Sequence, residues 1–144
     1  MEVEIREPKT KKQLDSYYAL RWKILRKPWN QPRGSEKDER ESESIHIMAV
    51  VGGKFVGVGR VHFNSEEEAE IRYIAVEESY RGKGVGSTIL YALETRAKAK
   101  CAKYALLNSS ETLTGFYKKC GYRIIEPVHK IFGAIPHWKM KKEL

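Results

Sequence analysis

The sequence predicts an α/β fold: a single domain built on a mixed, mostly antiparallel sheet flanked by helices. Three observations lead there. The chain has 144 residues, 41% apolar and 32% charged, the size and composition of one folded domain able to bury its own core. Its apolar residues switch between the two-residue period of strands and the period of helices, in the order β-α-β-β-β-α-β-α-β-β. Finally, a strand runs into a turn with three glycines that opens a helix, Arg81-Gly82-Lys83-Gly84-Val85-Gly86-Ser87. No repeat or composition break divides residues 1–144.

Each element has a local cause. Residues 3–6 alternate as a short strand and are followed by Pro8. Thr10 and Gln13 form a capping-box pattern, which starts a helix that buries Leu14, Tyr17, Tyr18, Ile24 and Leu25 until Pro28 stops it. Residues 28–44 are polar, with two prolines and a glycine, and are expected to be the longest and most mobile loop, a common setting for substrate contacts. The β-branched runs 45–51 and 54–63 flank Gly52-Gly53, a hairpin signal. An acidic turn at 64–68, with Glu66 to Glu68 solvated, leads to a third strand at 69–76 and completes a meander. The helix after the glycine turn runs to about residue 99 with Ile89, Leu90, Leu93 and Ala97 on one face. A strand at 104–107, a short helix at 113–119 ended by Gly121, and strands at 122–125 and 135–140 finish the sheet.

Several classes are excluded. No apolar run approaches the ~20 residues of a membrane span, and the opening MEVEIREPKT lacks the apolar stretch of an export signal, so a cytoplasmic protein with no membrane partner is expected. Cys101 and Cys120 make no disulfide framework and fit a reducing compartment. The four histidines and two cysteines show no zinc-ligand spacing, so no metal is expected. The net charge of +8 is uneven: residues 1–27 hold 8 basic and 4 acidic side chains, residues 28–80 hold 6 and 11, and residues 81–144 hold 13 and 4. A basic C-terminal half suits a polyanionic partner such as a phosphorylated cofactor.

The glycine turn is the densest chemical signal. Glycines let backbone N–H groups at a helix start wrap closely around an anion, and the helix dipole, Arg81 and Lys83 add positive charge. Such a turn suits a pyrophosphate. A P-loop spacing is absent, and a dinucleotide-binding fingerprint would need glycine where Ser87 stands. The pattern Arg-x-x-Gly-x-Gly after a strand ending Ala75-Val76 resembles the acetyl-CoA signature of the GNAT N-acetyltransferases. A second match is Asn108 at the end of a strand, followed by Phe116-Tyr117-Lys118-Lys119-Cys120-Gly121-Tyr122. The spacing from Asn108 to Tyr117, and Ile135-Pro136-His137 further on, are similar to the ElaA-like branch, although Ser109-Ser110 stands where that branch usually has Ala-Gln.

The resemblance implies a GNAT domain, splayed between its fourth and fifth strands, that moves acetyl from acetyl-CoA to an amine by direct attack in a ternary complex. It implies cofactor contacts from Ile74, Ala75, Val76, Arg81, Gly82, Lys83, Gly84, Val85, Gly86, Ser87, Asn108 and Tyr117, with the Val76 N–H polarising the thioester carbonyl. It implies a homodimer as one state open to the chain. Tyr117 matches the family's tyrosine acid, which helps the thiolate leave. An amine like that of lysine, with pKa ~10.4, must also lose a proton; Glu70 is the nearest carboxylate for that role, with His62 and His137 as alternatives. Residues 28–44 carry five acidic and three basic side chains and would form an acidic acceptor side that attracts a cationic amine. Two other classes account for parts of the sequence: a CoA-binding module without catalysis, and a basic nucleic-acid-binding protein, for which no recognition motif is present.

Overall fold

The computed structural model describes residues 1–133 and 135–144. Its elements follow the expected order: β1 (Glu4–Arg6), α1 (Lys11–Leu25), β2 (Ile45–Val51), β3 (Lys54–Phe63), β4 (Glu68–Val76), α2 (Val85–Ala99), β5 (Tyr104–Ser110), α3 (Thr114–Lys119), β6 (Arg123–Ile131) and β7 (Ile135–Glu143). The cap of α1 is a true capping box: Thr10 Oγ1 accepts from the Gln13 N–H at 3.1 Å, and Gln13 Oε1 accepts from the Thr10 N–H at 3.2 Å. Among the described residues no helix is long and apolar enough to cross a membrane.

The strands form one sheet in the order β1-β2-β3-β4-β5-β7-β6, in which only β4 and β5 are parallel. Strand β5 is longer than its sequence suggests. Asn108, Ser109 and Ser110 are weak strand formers, yet β7 pairs with β5 as far as Ser110 and His137, and the ladder overrides propensity. For the same reason the β6–β7 hairpin extends beyond both expected strands, and Glu68 joins β4 rather than a free turn.

Helices α2 and α3 cover one side of the sheet, where Ile47, Val61, Ile71, Ile89, Leu93, Leu107, Tyr117 and Met140 share a core. Helix α1 covers the other side, over Met48, Val50, Val58 and Ala75. In α1 only Tyr17 of the five expected core residues is fully buried; Leu20 and Arg21 join it. Gly57 and Gly59 let α2 lie close to β3: a Cβ on Gly59 would come within 2.6 Å of Ile89 Cγ2 and 3.0 Å of Leu93 Cδ1.

Between β3 and β4 the register slips by one residue, so that two residues of β4, Tyr73 and Ile74, stand opposite Gly59 alone. Tyr73 takes φ 60°, in the left-handed region. This β-bulge turns two successive side chains, Arg72 and Tyr73, to the α1 side: both reach Asp38 there. Beyond it Ile74 and Val76 pack towards α2.

The segment 28–44 is not the free, solvated loop that its composition suggests. Arg21 and Arg60 are both 0% exposed beneath it, and buried guanidinium groups need partners. Arg60 donates to Asp38 at 2.6 Å and 3.0 Å and to Glu41 at 2.7 Å. Arg21 donates to Glu41 at 2.9 Å, to the Glu36 carbonyl at 3.0 Å and to the Tyr17 hydroxyl at 2.9 Å. Asp38 also accepts from Arg72 at 3.1 Å and from the Tyr73 hydroxyl at 3.2 Å. The loop is thus drawn onto the sheet by the charges of α1 and β3.

Two stability outcomes follow from this packing. Gly59→Ala should cost about 1–3 kcal/mol, because the new methyl has no room against α2; a urea midpoint equal to wild type would show that the helix yields freely. Asp38→Asn should cost about 3 kcal/mol near neutrality by leaving the buried guanidinium of Arg60 short of charge. Burial alone would raise the Asp38 carboxyl, but Arg60, the Arg40 N–H and Arg72 hold it well below the usual range. Unfolded chains therefore take up more protons than folded ones as pH drops below about 4, and wild-type stability should be lost there. Urea titrations near neutrality and at acid pH check both points: the variant should lose less on acidification, and a parallel acid loss would exclude Asp38 as its source.

Candidate active site

Strands β4 and β5 pair only at Glu68 with Tyr104, Ala69 with Ala105, and Glu70 with Leu106. Past Glu70 the bulged β4 bends away while β5 continues straight beside β7, which opens a cleft between them. Strand alternation shows which backbone groups line it. The Glu77 N–H donates to the Val56 carbonyl on β3 at 2.8 Å, and Ala75 pairs with Val58. The N–H and C=O of Val76, and of Ile74 before it, therefore face the opposite way, into the cleft. Arg81 confirms the direction: its Nε reaches round the end of β4 and donates to the Val76 carbonyl at 3.1 Å.

At this end of β4 the glycine turn leads into α2. Gly82 and Gly84 have φ of 73° and 87°, conformations that side-chain-bearing residues rarely adopt. Gly84 is the N-cap of α2 and supplies no side-chain acceptor, so the first N–H groups of the helix look out of the turn. A Cβ on Gly82 would meet nothing within 4 Å, and one on Gly84 would meet only Ser87 Oγ at 4.0 Å. The turn thus presents bare backbone to an open space flanked by Arg81 and Lys83, a geometry that fits a phosphate group. A groove of about 680 Å³ opens beside it, its lining mixed in charge, with Lys23 and Arg81 against Glu77 and Glu78.

The two sequence motifs meet here. Gly86, in the first turn of α2, lies with its Cβ position 3.6 Å from Phe116 Cζ and 3.9 Å from Val76 Cγ2, so α3 is packed against the head of the cleft. The Phe116 ring meets that of Tyr117 edge-on at 5.0 Å. Tyr117 is 8% exposed, and among the described residues its hydroxyl has no hydrogen-bond partner. Burial pushes its phenol up to about 12, so it holds its proton throughout the neutral range. Asn108 is exposed on β5, facing the α1 side opposite Lys139.

The proton-acceptor candidates separate sharply. Glu70 lies where β4 and β5 still pair. Burial works to raise its carboxyl, but hydrogen bonds from Asn64 (2.9 Å) and Arg72 outweigh it and hold the group below its ordinary range. A carboxylate so engaged keeps its charge and is a weak base. His62 is 1% exposed; its Nδ1 accepts from Arg60 at 2.9 Å, and burial lowers its imidazole so that it is neutral. His137 is half-buried on β7 beside Ser110.

Four of the five acids of 28–44 are engaged, and Glu39 is exposed. Asp38 and Glu41 are taken by arginines, Glu43 by Arg40, and Glu36 is buried with its carboxylate on the Gly34 N–H. The arginine–tyrosine cluster escaped the sequence reading. Arg60 and His62 alternate with Val58 along β3, a polar stripe within an apolar run that was the available signal. The Tyr73 bulge left no such signal.

Residues 14–122 match the model of the acetyltransferase (GNAT) family. The uncharacterized N-acetyltransferase YjcF of Bacillus subtilis is 36% identical over 135 residues, which cover 94% of this chain and 96% of that protein. Two solved structures share the fold. An aminoglycoside 6′-N-acetyltransferase complexed with coenzyme A aligns at TM-score 0.81 and 18% identity, over 99% of this chain and 97% of that one. Escherichia coli ElaA aligns at 0.79 and 22%, over 99% of each. A family match across most of the chain and a relative alike along nearly its whole length agree with the parted strands: this protein belongs to the GNAT family and is an N-acetyltransferase.

Proposed function

We propose that the protein transfers acetyl from acetyl-CoA to a primary amine by direct attack within a ternary complex. One observation carries this reading: the cleft between β4 and β5 begins at the same end of β4 as the left-handed glycine turn. A chain running from that turn into the cleft would have its phosphates on α2 and its amides beside Ile74 and Val76. Bound acetyl-CoA would supply the acetyl thioester. The basic residues of 81–144 match its phosphates in charge.

The residues divide the work by position. Gly82 and Gly84 admit the pyrophosphate, while Arg81 and Lys83 balance its charge. The Val76 N–H, aimed into the cleft, would donate to the thioester carbonyl oxygen as charge builds there. Tyr117, protonated and without a partner, would give its proton to the departing sulfur. Asn108, expected at the cofactor, is exposed across the cleft and would border the place where the amine enters, while Ala75, also expected there, is buried beneath α1 and would contribute through its backbone.

Acetyl-CoA should stabilise the fold by about 2.7 kcal/mol at roughly a hundred times its Kd. Gly84→Asp should abolish that shift, because a side chain and a negative charge then occupy the open space at φ 87°. A thermal melt unmoved by millimolar acetyl-CoA or CoA would contradict the reading. The acceptor class is found by thiol release from acetyl-CoA across a panel of spermidine, L-lysine, a dipeptide with a free N-terminus, kanamycin, benzylamine and aniline. Ligand binding with no thiol release would leave a CoA-binding module.

Tyr117→Phe keeps the ring and its contacts but removes the proton donor. Turnover should fall ~100-fold or more, with the acetyl-CoA thermal shift unchanged. Because the phenol is pushed up to about 12, wild-type turnover should show no alkaline loss from this group until the pH approaches that value. Wild-type turnover in the variant, with chemistry rate-limiting, would reduce Tyr117 to a packing residue.

A further inference from the structure

An amine that arrives protonated needs a proton acceptor on its own side of the cleft, and we propose that His137 is that general base. The assignment rests on the acetyl-transfer reading above. Glu70 is committed to Arg72 and Asn64, and His62 is sealed beneath Arg60. His137 differs from both in where it stands and in which nitrogen is available.

Its place follows from the ladder. Strands β5 and β7 pair without interruption from Tyr104 with Glu143 to Ser110 with His137, and cross-strand partners share a face. Leu107 and Met140, opposite one another, are buried in the α2–α3 core. Alternation therefore sends Ser110 and His137, three positions away, to the other face. Helix α1 packs over β3 and β4 on that face. His137 thus stands at the parted end of β5, on the α1 side of the sheet. Tyr117 and the glycine turn lie towards the α2–α3 side.

The available nitrogen follows from one hydrogen bond. His137 Nδ1 lies 2.9 Å from the carbonyl oxygen of Ile135. A carbonyl oxygen only accepts, so Nδ1 carries the hydrogen and Nε2 is left with its lone pair. Among the described residues Nε2 has no hydrogen-bond partner. Pro136, between the two residues, fixes one backbone torsion at the start of β7 and so helps hold the ring in place. A half-buried imidazole with a fixed tautomer and an unengaged Nε2 is equipped to accept a proton.

The proton and electron count closes. Nε2 takes one proton from the ammonium group, leaving a neutral amine whose lone pair forms the C–N bond to the acetyl carbon. The C–S bond breaks with its electron pair on sulfur, which takes the Tyr117 proton. The amide nitrogen gives its surplus proton back to the Tyr117 oxygen, and His137 releases its own to solvent. The products are an amide, a thiol and one proton.

The test joins a readout on the resting protein to one on turnover. Long-range ¹H–¹⁵N correlation on the ligand-free protein should show His137 protonated at Nδ1 and bare at Nε2; an Nε2–H tautomer would overturn the assignment. His137→Asn and His137→Ala are then compared with wild type on benzylamine, which is protonated at neutral pH, and on aniline, which is not. Benzylamine kcat/KM should fall ~100-fold, aniline kcat/KM should stay within about threefold, and added imidazole should restore benzylamine turnover in His137→Ala. The acetyl-CoA thermal shift should persist in both variants. Equal losses with the two amines would make His137 a positioning residue and sink the proposal, as would unchanged benzylamine turnover. Wild-type protein that binds acetyl-CoA but releases thiol with no amine of the panel overturns the transfer reading itself, and the base assignment with it.

Discussion

The site depends on one backbone distortion, the bulge at Tyr73. A tyrosine at φ 60° sits in a region that costs a side-chain-bearing residue ~1–3 kcal/mol, and the surroundings must hold it there. They do so with charge. Its hydroxyl donates to Asp38 at 3.2 Å, and the guanidinium groups of Arg21 and Arg60 lie 4.3 Å and 4.9 Å from its ring. The bulge adds a residue to β4 just past the last pair with β5, so that β4 turns away from β5 where it would otherwise go on pairing. Without that turn, the backbone groups of Ile74 and Val76 would be consumed by a parallel ladder, leaving no cleft.

The same distortion joins the two sides of the sheet. On the α2–α3 side the packing is apolar and close: Gly57 and Gly59 bring α2 down onto β3, and Gly86 lets Phe116 press against the end of β4. On the α1 side an apolar patch adjoins two fully buried arginines bound by Asp38 and Glu41 from the chain between α1 and β2. Among the described residues the two buried Nε atoms of those arginines have no partner, so the cluster is held by its Nη groups and its carboxylates rather than by complete satisfaction. An apolar side fixes the glycine turn and Tyr117, and a charged side fixes the bulge. The cleft lies between them.

Much of this was legible in the residues. Two glycines between β-branched runs, a capping box before an apolar face, and a strand entering a glycine turn are local patterns with local causes, and each became the element it indicated. The motifs of 81–87 and 116–122 likewise lie against one another, through Gly86 and Phe116. The segment 28–44 was legible only as a run of charges. Composition counts its acids, but only the fold shows that two of them, Asp38 and Glu41, face buried arginines rather than water. Glu70 has the same history: its position in the sequence suggested a base, and its neighbours Arg72 and Asn64 keep it charged.

The sequence by itself determined the order and kind of the elements, the glycine turn and the family, because these rest on interactions within a few residues or on motifs of fixed spacing. Tertiary structure alone decided where β4 leaves β5, which acids are neutralised, and which face of the sheet each side chain meets. Those outcomes depend on pairings between residues far apart in the chain, such as Arg60 with Asp38 and Ser110 with His137. A carboxylate or an imidazole has no fixed strength as a base until its neighbours are in place, because burial and partner charges move it in opposite directions.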